Sequence, residues 1–202
     1  MRGKNILIIV PLVVLGGVAF ASHRTMSIKE FSANMLNALP TPTPTPPPMP
    51  TEIHTNFLRQ VEECFIPVAS AYGYTLRITS GFRTVEEQEE LYEQGRTVDG
   101  HIVSWAPSGK SIHNYGYAVD VVDRWRGYSI NWKKLAKIGE YCRLAQVDDP
   151  HFEYRGGLTT EQFEAGMRPE PLELPCALMH ERVVAGKPLT RKDLQNCSAP
   201  VF

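Results

Sequence analysis

Ser111-Ile112-His113-Asn114-Tyr115-Gly116-Tyr117-Ala118-Val119-Asp120 leads from a histidine through a glycine into an apolar, partly β-branched run that continues to Val122. Such a run is a strand signature, and Asp120 interrupts its middle. Strand alternation sets Ala118, Asp120 and Val122 on one face and Val119 and Val121 on the other. A carboxylate among such neighbours is costly to bury unless it is paired or binds a metal. His113, seven positions before Asp120, falls on the loop that enters the strand.

A second segment, Asp148-Asp149-Pro150-His151-Phe152-Glu153-Tyr154, completes the pattern. His151 supplies a third donor beside His113 and Asp120, and two imidazoles with one carboxylate are ordinary zinc ligands. Three protein ligands leave one position for water, which separates a catalytic from a structural zinc site. The expectation is one zinc ion and hydrolytic chemistry. Taken singly, each residue has a blander use, as a hydrogen-bonded histidine or a paired strand acid. Pro150 favours extended backbone at Asp149, and in a continuous strand Asp149, His151 and Glu153 would share a face. The general base is therefore open, on spacing alone, between Asp148, Asp149 and Glu153.

Working outward, Ile53, Phe57, Val61 and Phe65 recur every four residues, as in an amphipathic helix lying on a sheet. Leu76-Arg77-Ile78-Thr79 reads as a strand. Thr84 and Glu87 have capping-box spacing, which predicts a helix from Val85 to Gln94 ended by Gly95. Arg83 stands at that strand–helix junction. Residues 96–112 form a loop, in which Trp105, together with Tyr115 beyond it, is a candidate to line a peptide groove. Asp123 reads as a solvated strand-end acid, and Trp132 to Cys142 as a further amphipathic helix.

The composition, 43% hydrophobic and 21% charged with net charge −1, gives no basic excess and so no sign of nucleic-acid binding. Residues 1–22 read as a signal peptide or N-terminal anchor: Arg2 and Lys4 precede an apolar run, and Ala19-Phe20-Ala21 fits a cleavage site. Residues 5–22 would serve as the membrane tether if cleavage does not occur, and either outcome exports the rest. Residues 23–52 form a Thr/Pro-rich linker; its polyproline part, Pro40 to Pro50, spans about 34 Å at ~3.1 Å per residue. Residues 166–202 are a C-terminal extension. Export permits disulfides, and Cys64, Cys142, Cys176 and Cys197 allow three full pairings; Cys176–Cys197 is the expected pair, and buried thiols at Cys64 and Cys142 are the plain alternative.

The pattern Ser111-x-His113-x-x-Gly116-x-Ala118-x-Asp120 resembles the signature of the LAS zinc peptidases, which include D-alanyl-D-alanine carboxypeptidases and share a fold with the hedgehog signalling domain. Ser80-Gly81-Phe82-Arg83-Thr84, Glu87-Gln88, Leu91-Tyr92-x-x-Gly95-Arg96-Thr97 and Ser108-Gly109-Lys110-Ser111 are most similar to the bacterial and phage L-alanyl-D-glutamate endopeptidases. The resemblance covers residues 53–165. It implies an α+β fold, a small and mostly antiparallel sheet with packed helices and the zinc in a cleft. By the family's spacing it selects Asp148 as base and gives Arg83 the role of holding a substrate carboxylate or the oxyanion, with Gln88 and Ser111 as further substrate contacts. The implied function is an exported, monomeric peptidase acting on peptidoglycan stem peptides at the L-Ala–D-Glu bond. A D-alanyl-D-alanine carboxypeptidase and a non-catalytic zinc-bearing wall-binding module are the alternatives.

Overall fold

The computed structural model describes residues 49–197. The expected targeting segment, nearly all of the linker, and residues 198–202 lie outside the described residues. Among the described residues no helix is long and apolar enough to cross a membrane.

Four strands make one antiparallel sheet in the order β1-β2-β4-β3: β1 (Leu76–Ser80), β2 (Ala118–Asp123), β3 (Ala145–Asp148) and β4 (His151–Glu153). The apolar run predicted around Asp120 is the central strand β2. Val119 and Val121 are fully buried on one side, and Ala118 and Val122 are covered on the other. The register aligns Ser80 with Asp120, Asp120 with His151, and His151 with Asp148. Directly opposed residues in antiparallel strands project to the same side, so these four form one transverse row.

Helices α1 (Thr55–Gln60) and α2 (Ile66–Ala71) are joined by a π-helical segment, Val61–Phe65. The helix starts two residues after Ile53, and Phe57, Val61 and Phe65 are fully buried as their spacing predicts. A strict four-residue repeat drifts about 40° per step around an α-helix, and the wider π turn takes up that drift. Helix α3 (Val85–Glu93) opens on the predicted capping box, Thr84 with Glu87. Helix α4 (Trp132–Tyr141) stops one residue short of Cys142, and its Gly139 lies so close to Phe152 that a Cβ would sit 2.8 Å from the ring.

Three expectations need correction. Cys64 and Cys142 are disulfide-bonded rather than free thiols, tying the π segment to the end of α4, while Cys176–Cys197 pairs as expected. Asp123 is buried rather than solvated. Its oxygens accept bonds from the Thr75, Trp125 and Arg126 amides and from the Arg126 guanidinium, and so cap the turn after β2. The C-terminal segment is built into the core: Leu172, Met179, Leu189 and Leu194 are buried with Phe65 and Val68. The short helix α5 (Thr160–Glu164) precedes it, and α6 (Ala177–Val184) and α7 (Arg191–Asn196) belong to it, α7 beginning on the capping pair Thr190 and Asp193.

The Cys64–Cys142 bridge closes a sequence separation of 78 residues, and Cys176–Cys197 one of 21. Chain entropy makes the longer loop the more stabilising to close, roughly 4 against roughly 3 kcal/mol. Urea unfolding of C64A/C142A and C176A/C197A should therefore show both destabilised, the first more. Equal or reversed losses would show that local packing, not loop closure, sets the contribution.

Candidate active site

Three elements converge above one face of the sheet. Asp120 comes from β2 and His151 from β4, while His113 lies on a short 3-10 turn, Ile112–Tyr115, rather than on irregular loop. Gly116 ends that turn at φ 74°, and a Cβ there would lie 2.5 Å from the Glu52 carbonyl. Only glycine combines that backbone angle with so close an approach.

The inward atoms are His113 Nε2, His151 Nδ1 and Asp120 Oδ1, separated by 3.0, 3.3 and 3.4 Å. The outward atoms fix the tautomers. His113 Nδ1 donates to the Gly81 carbonyl at 2.5 Å, and His151 Nε2 donates to Glu153 Oε2 at 2.8 Å. Each imidazole then turns a lone pair inward. Three acceptors facing one point repel unless a cation lies between them. Tetrahedral zinc with nitrogen and oxygen ligands at 2.0–2.1 Å sets its ligand atoms about 3.3 Å apart, so the observed triangle fits that ion. Only Asp120 of the three candidate ligands is anionic, so with a divalent ion the site would carry a net +1.

The electrostatics agree. Burial alone would raise the Asp120 carboxyl, but the adjacent His113 and His151 imidazoles hold it well below the usual carboxylate range. Burial lowers His151, yet its bonds to Asp120 and Glu153 prevail and push it up to about 9. Glu153 is itself held below the usual range: burial raises it, and His151 and Arg155 outweigh that. Binding of a metal by His113, Asp120 and His151 would displace the proton that this anionic surround otherwise retains on His151.

The three acids that compete for the role of base are separated by their partners. Glu153 is buried and spent on His151 and Arg155. Asp149 accepts from Gln146 at 2.5 Å. Asp148 stands opposite His151 across the β3–β4 ladder, lines the cleft, and makes no side-chain hydrogen bond among the described residues.

That cleft has a volume of about 270 Å³, and Arg83, Trp105, Lys110, Ser111 and Asp148 line it with the ligand set. The Arg83 guanidinium reaches Asp120 Oδ2 at 3.4 Å, Ser80 Oγ at 3.0 Å and Gln88 Oε1 at 2.7 Å. Two expected substrate contacts stand behind the wall instead. Gln88 is fully buried, its oxygen taken by Arg83 and its amide nitrogen donating to Ser104 Oγ and the Ala106 carbonyl. Tyr115 is packed against Phe163 with its hydroxyl on the Gly109 carbonyl.

Sequence reasoning overlooked Asn114, which is fully buried and ties three loops together. Its amide donates to the Arg83 and Thr84 carbonyls at 2.9 Å, and its oxygen accepts from the Gly109 amide at 3.2 Å. It also overlooked the Gly81 carbonyl and Arg155. No side-chain pattern marks a carbonyl as a histidine's partner; for Glu153 the signal was its i+2 spacing from His151.

Comparison with known proteins bears on the same residues. Over 75 residues, 37% of this chain, the sequence is 43% identical to the peptidoglycan L-alanyl-D-glutamate endopeptidase CwlK of Bacillus subtilis strain 168, and spans 45% of that protein's length. A zinc-bound variant of the vancomycin-resistance D,D-pentapeptidase VanY is 18% identical, with a TM-score of 0.43 over 62% of this chain and 92% of its own. The Serratia marcescens L-Ala D-Glu endopeptidase ChiX is 19% identical, with a TM-score of 0.33 over 55% and 84%. Those two likenesses are too distant to bear on chemistry. The family model for VanY, D-alanyl-D-alanine carboxypeptidase, matches residues 51–155. Since that match runs from the first helix past the strand carrying His151 and takes in just over half of the chain, the protein belongs to the D-alanyl-D-alanine carboxypeptidase (VanY) family of peptidases.

Proposed function

We propose that the protein is a zinc-dependent peptidoglycan endopeptidase that hydrolyses the L-Ala–D-Glu bond of stem peptides. The observation that carries the choice of bond is the pairing of cations in the cleft. Lys110 is 2.6 Å from Glu164 and Arg155 is bonded to Glu153, while Arg83, beside Asp120, is the cation left for the reacting carbonyl. A carboxypeptidase must hold a free terminal carboxylate, for which a charge-assisted donor is the strong solution. An internal bond makes no such demand. The 43% identity to an L-alanyl-D-glutamate endopeptidase supports the same choice. Two disulfides suit an oxidising compartment, and so action outside the cytoplasm.

His113, Asp120 and His151 would hold the zinc, which when bound supplies Lewis acidity toward a carbonyl and toward water. Asp148, the uncommitted carboxylate, takes the proton of the attacking water and returns it to the leaving amine. Arg83, fixed by Gln88 and Ser80, points donors at the oxygen on which charge develops. Gly81 and Glu153 keep both imidazoles oriented, and Arg155 keeps Glu153 in place.

The test is incubation of the zinc-loaded protein with defined muropeptides, with products identified by mass spectrometry. Cleavage between L-Ala and D-Glu is expected, and D148N should lower kcat by roughly 10²–10⁴-fold while still binding one zinc. Release of terminal D-Ala instead would make the protein a carboxypeptidase, and stoichiometric zinc with no bond broken would make it a binding module.

Glu153 holds His151 from behind through its Nε2–H. E153Q should weaken zinc binding roughly 10–100-fold in a competition titration, because the imidazole loses its anionic partner. An unchanged zinc affinity would mean that Glu153 serves folding only.

A further inference from the structure

Trp105 sits in the cleft wall yet is 76% exposed. Its two neighbours in the chain are held by one side chain: Gln88 Nε2 donates to Ser104 Oγ at 2.8 Å and to the Ala106 carbonyl at 2.5 Å. The opposite end of that amide accepts from Arg83 Nη1 at 2.7 Å. One fully buried residue therefore sets the position of the indole loop relative to the guanidinium beside the ligand set. An apolar ring left in water forgoes stabilisation that burial would give. Val103 and Val147, 54% and 62% exposed, line the same cleft. Arg96 lies 5.7 Å from the indole. A preformed aromatic surface of this kind marks a place where something flat is received.

We propose that Trp105 is a stacking platform for the amino-sugar ring that carries the stem peptide. This rests on the L-Ala–D-Glu reading above. The stem peptide offers methyl groups, carboxylates and an amine, none broad enough to cover an indole. The rigid ring nearest the scissile bond is the pyranose, joined through its lactyl bridge to the L-Ala nitrogen. A pyranose face is a set of C–H groups with positive partial charge, complementary to the negative face of an aromatic ring. Lactyl bridge and alanine together span about two residues, roughly 7 Å. That separation lets ring and scissile carbonyl lie in the one cleft that Trp105 shares with the ligand set. The platform makes the enzyme prefer glycan-attached peptides to peptides already released from the sugar.

The experiment measures binding of two ligands, the N-acetylmuramyl tripeptide and the same tripeptide without its sugar. Calorimetry on the full zinc-loaded chain carrying D148N, to suppress turnover, gives both dissociation constants. The sugar should tighten binding roughly tenfold; adding W105A should bring the ratio near one, and adding W105F should keep most of it. A ratio that survives W105A, or a ratio near one before it, would overturn the proposal. Cleavage of the same two ligands with Asp148 intact separates the outcomes. An uncut L-Ala–D-Glu bond sinks the endopeptidase reading, while the binding ratio decides the platform either way.

Discussion

In an antiparallel sheet a register is also a statement about which side chains meet, because opposed residues share a face. Here Ser80, Asp120, His151 and Asp148 come from four different strands and fall in one row. The row places a partner of Arg83, two metal-ligand candidates and the uncommitted carboxylate side by side. A slip of one residue in β4 would turn His151 and Glu153 to the other face and leave Asp120 with only His113 and Arg83 as partners. The β3–β4 hairpin, with only Asp149 and Pro150 between its strands, fixes that register and so fixes the separation of base from ligand set.

Around the row, polar groups are buried and almost fully partnered, which suits a site that must not relax. Gln88 links Arg83 to the 104–106 loop, Asn114 links residue 83, residue 84 and residue 109, and Glu153 links His151 to Arg155. A buried amide or carboxylate left unpaired costs about 1–3 kcal/mol or more, so each link holds its two ends at once. The ligand set and the cleft wall are thereby held by linked side chains.

Much of this was legible in the sequence where the signal was local. The run from Tyr117 to Val122 announced a strand, its lone aspartate announced a special site, and two histidines at loop and strand ends completed a recognisable ligand chemistry. The capping box at Thr84 read correctly because both partners lie within one turn. Misreadings came where tertiary partners decide. Gln88 and Tyr115 look like contact residues in a list, and only the docking of the 96–111 loop and of Phe163 shows them to be struts. Cys64 and Cys142 occupy apolar helix positions that suit a free thiol equally well; their pairing follows from how α4 packs on the π segment. The three candidate bases could not be ranked from spacing, because the ranking depends on which of them other side chains have already claimed.

The sheet register brings His113, Asp120 and His151 together as a candidate single zinc site. Anomalous diffraction at the zinc edge, from crystals of the zinc-loaded protein, locates the ion. One strong peak is expected about 2.0–2.2 Å from His113 Nε2, His151 Nδ1 and an Asp120 carboxylate oxygen. A peak bound through the outer nitrogen of either histidine, or one lying away from Asp120, would contradict it.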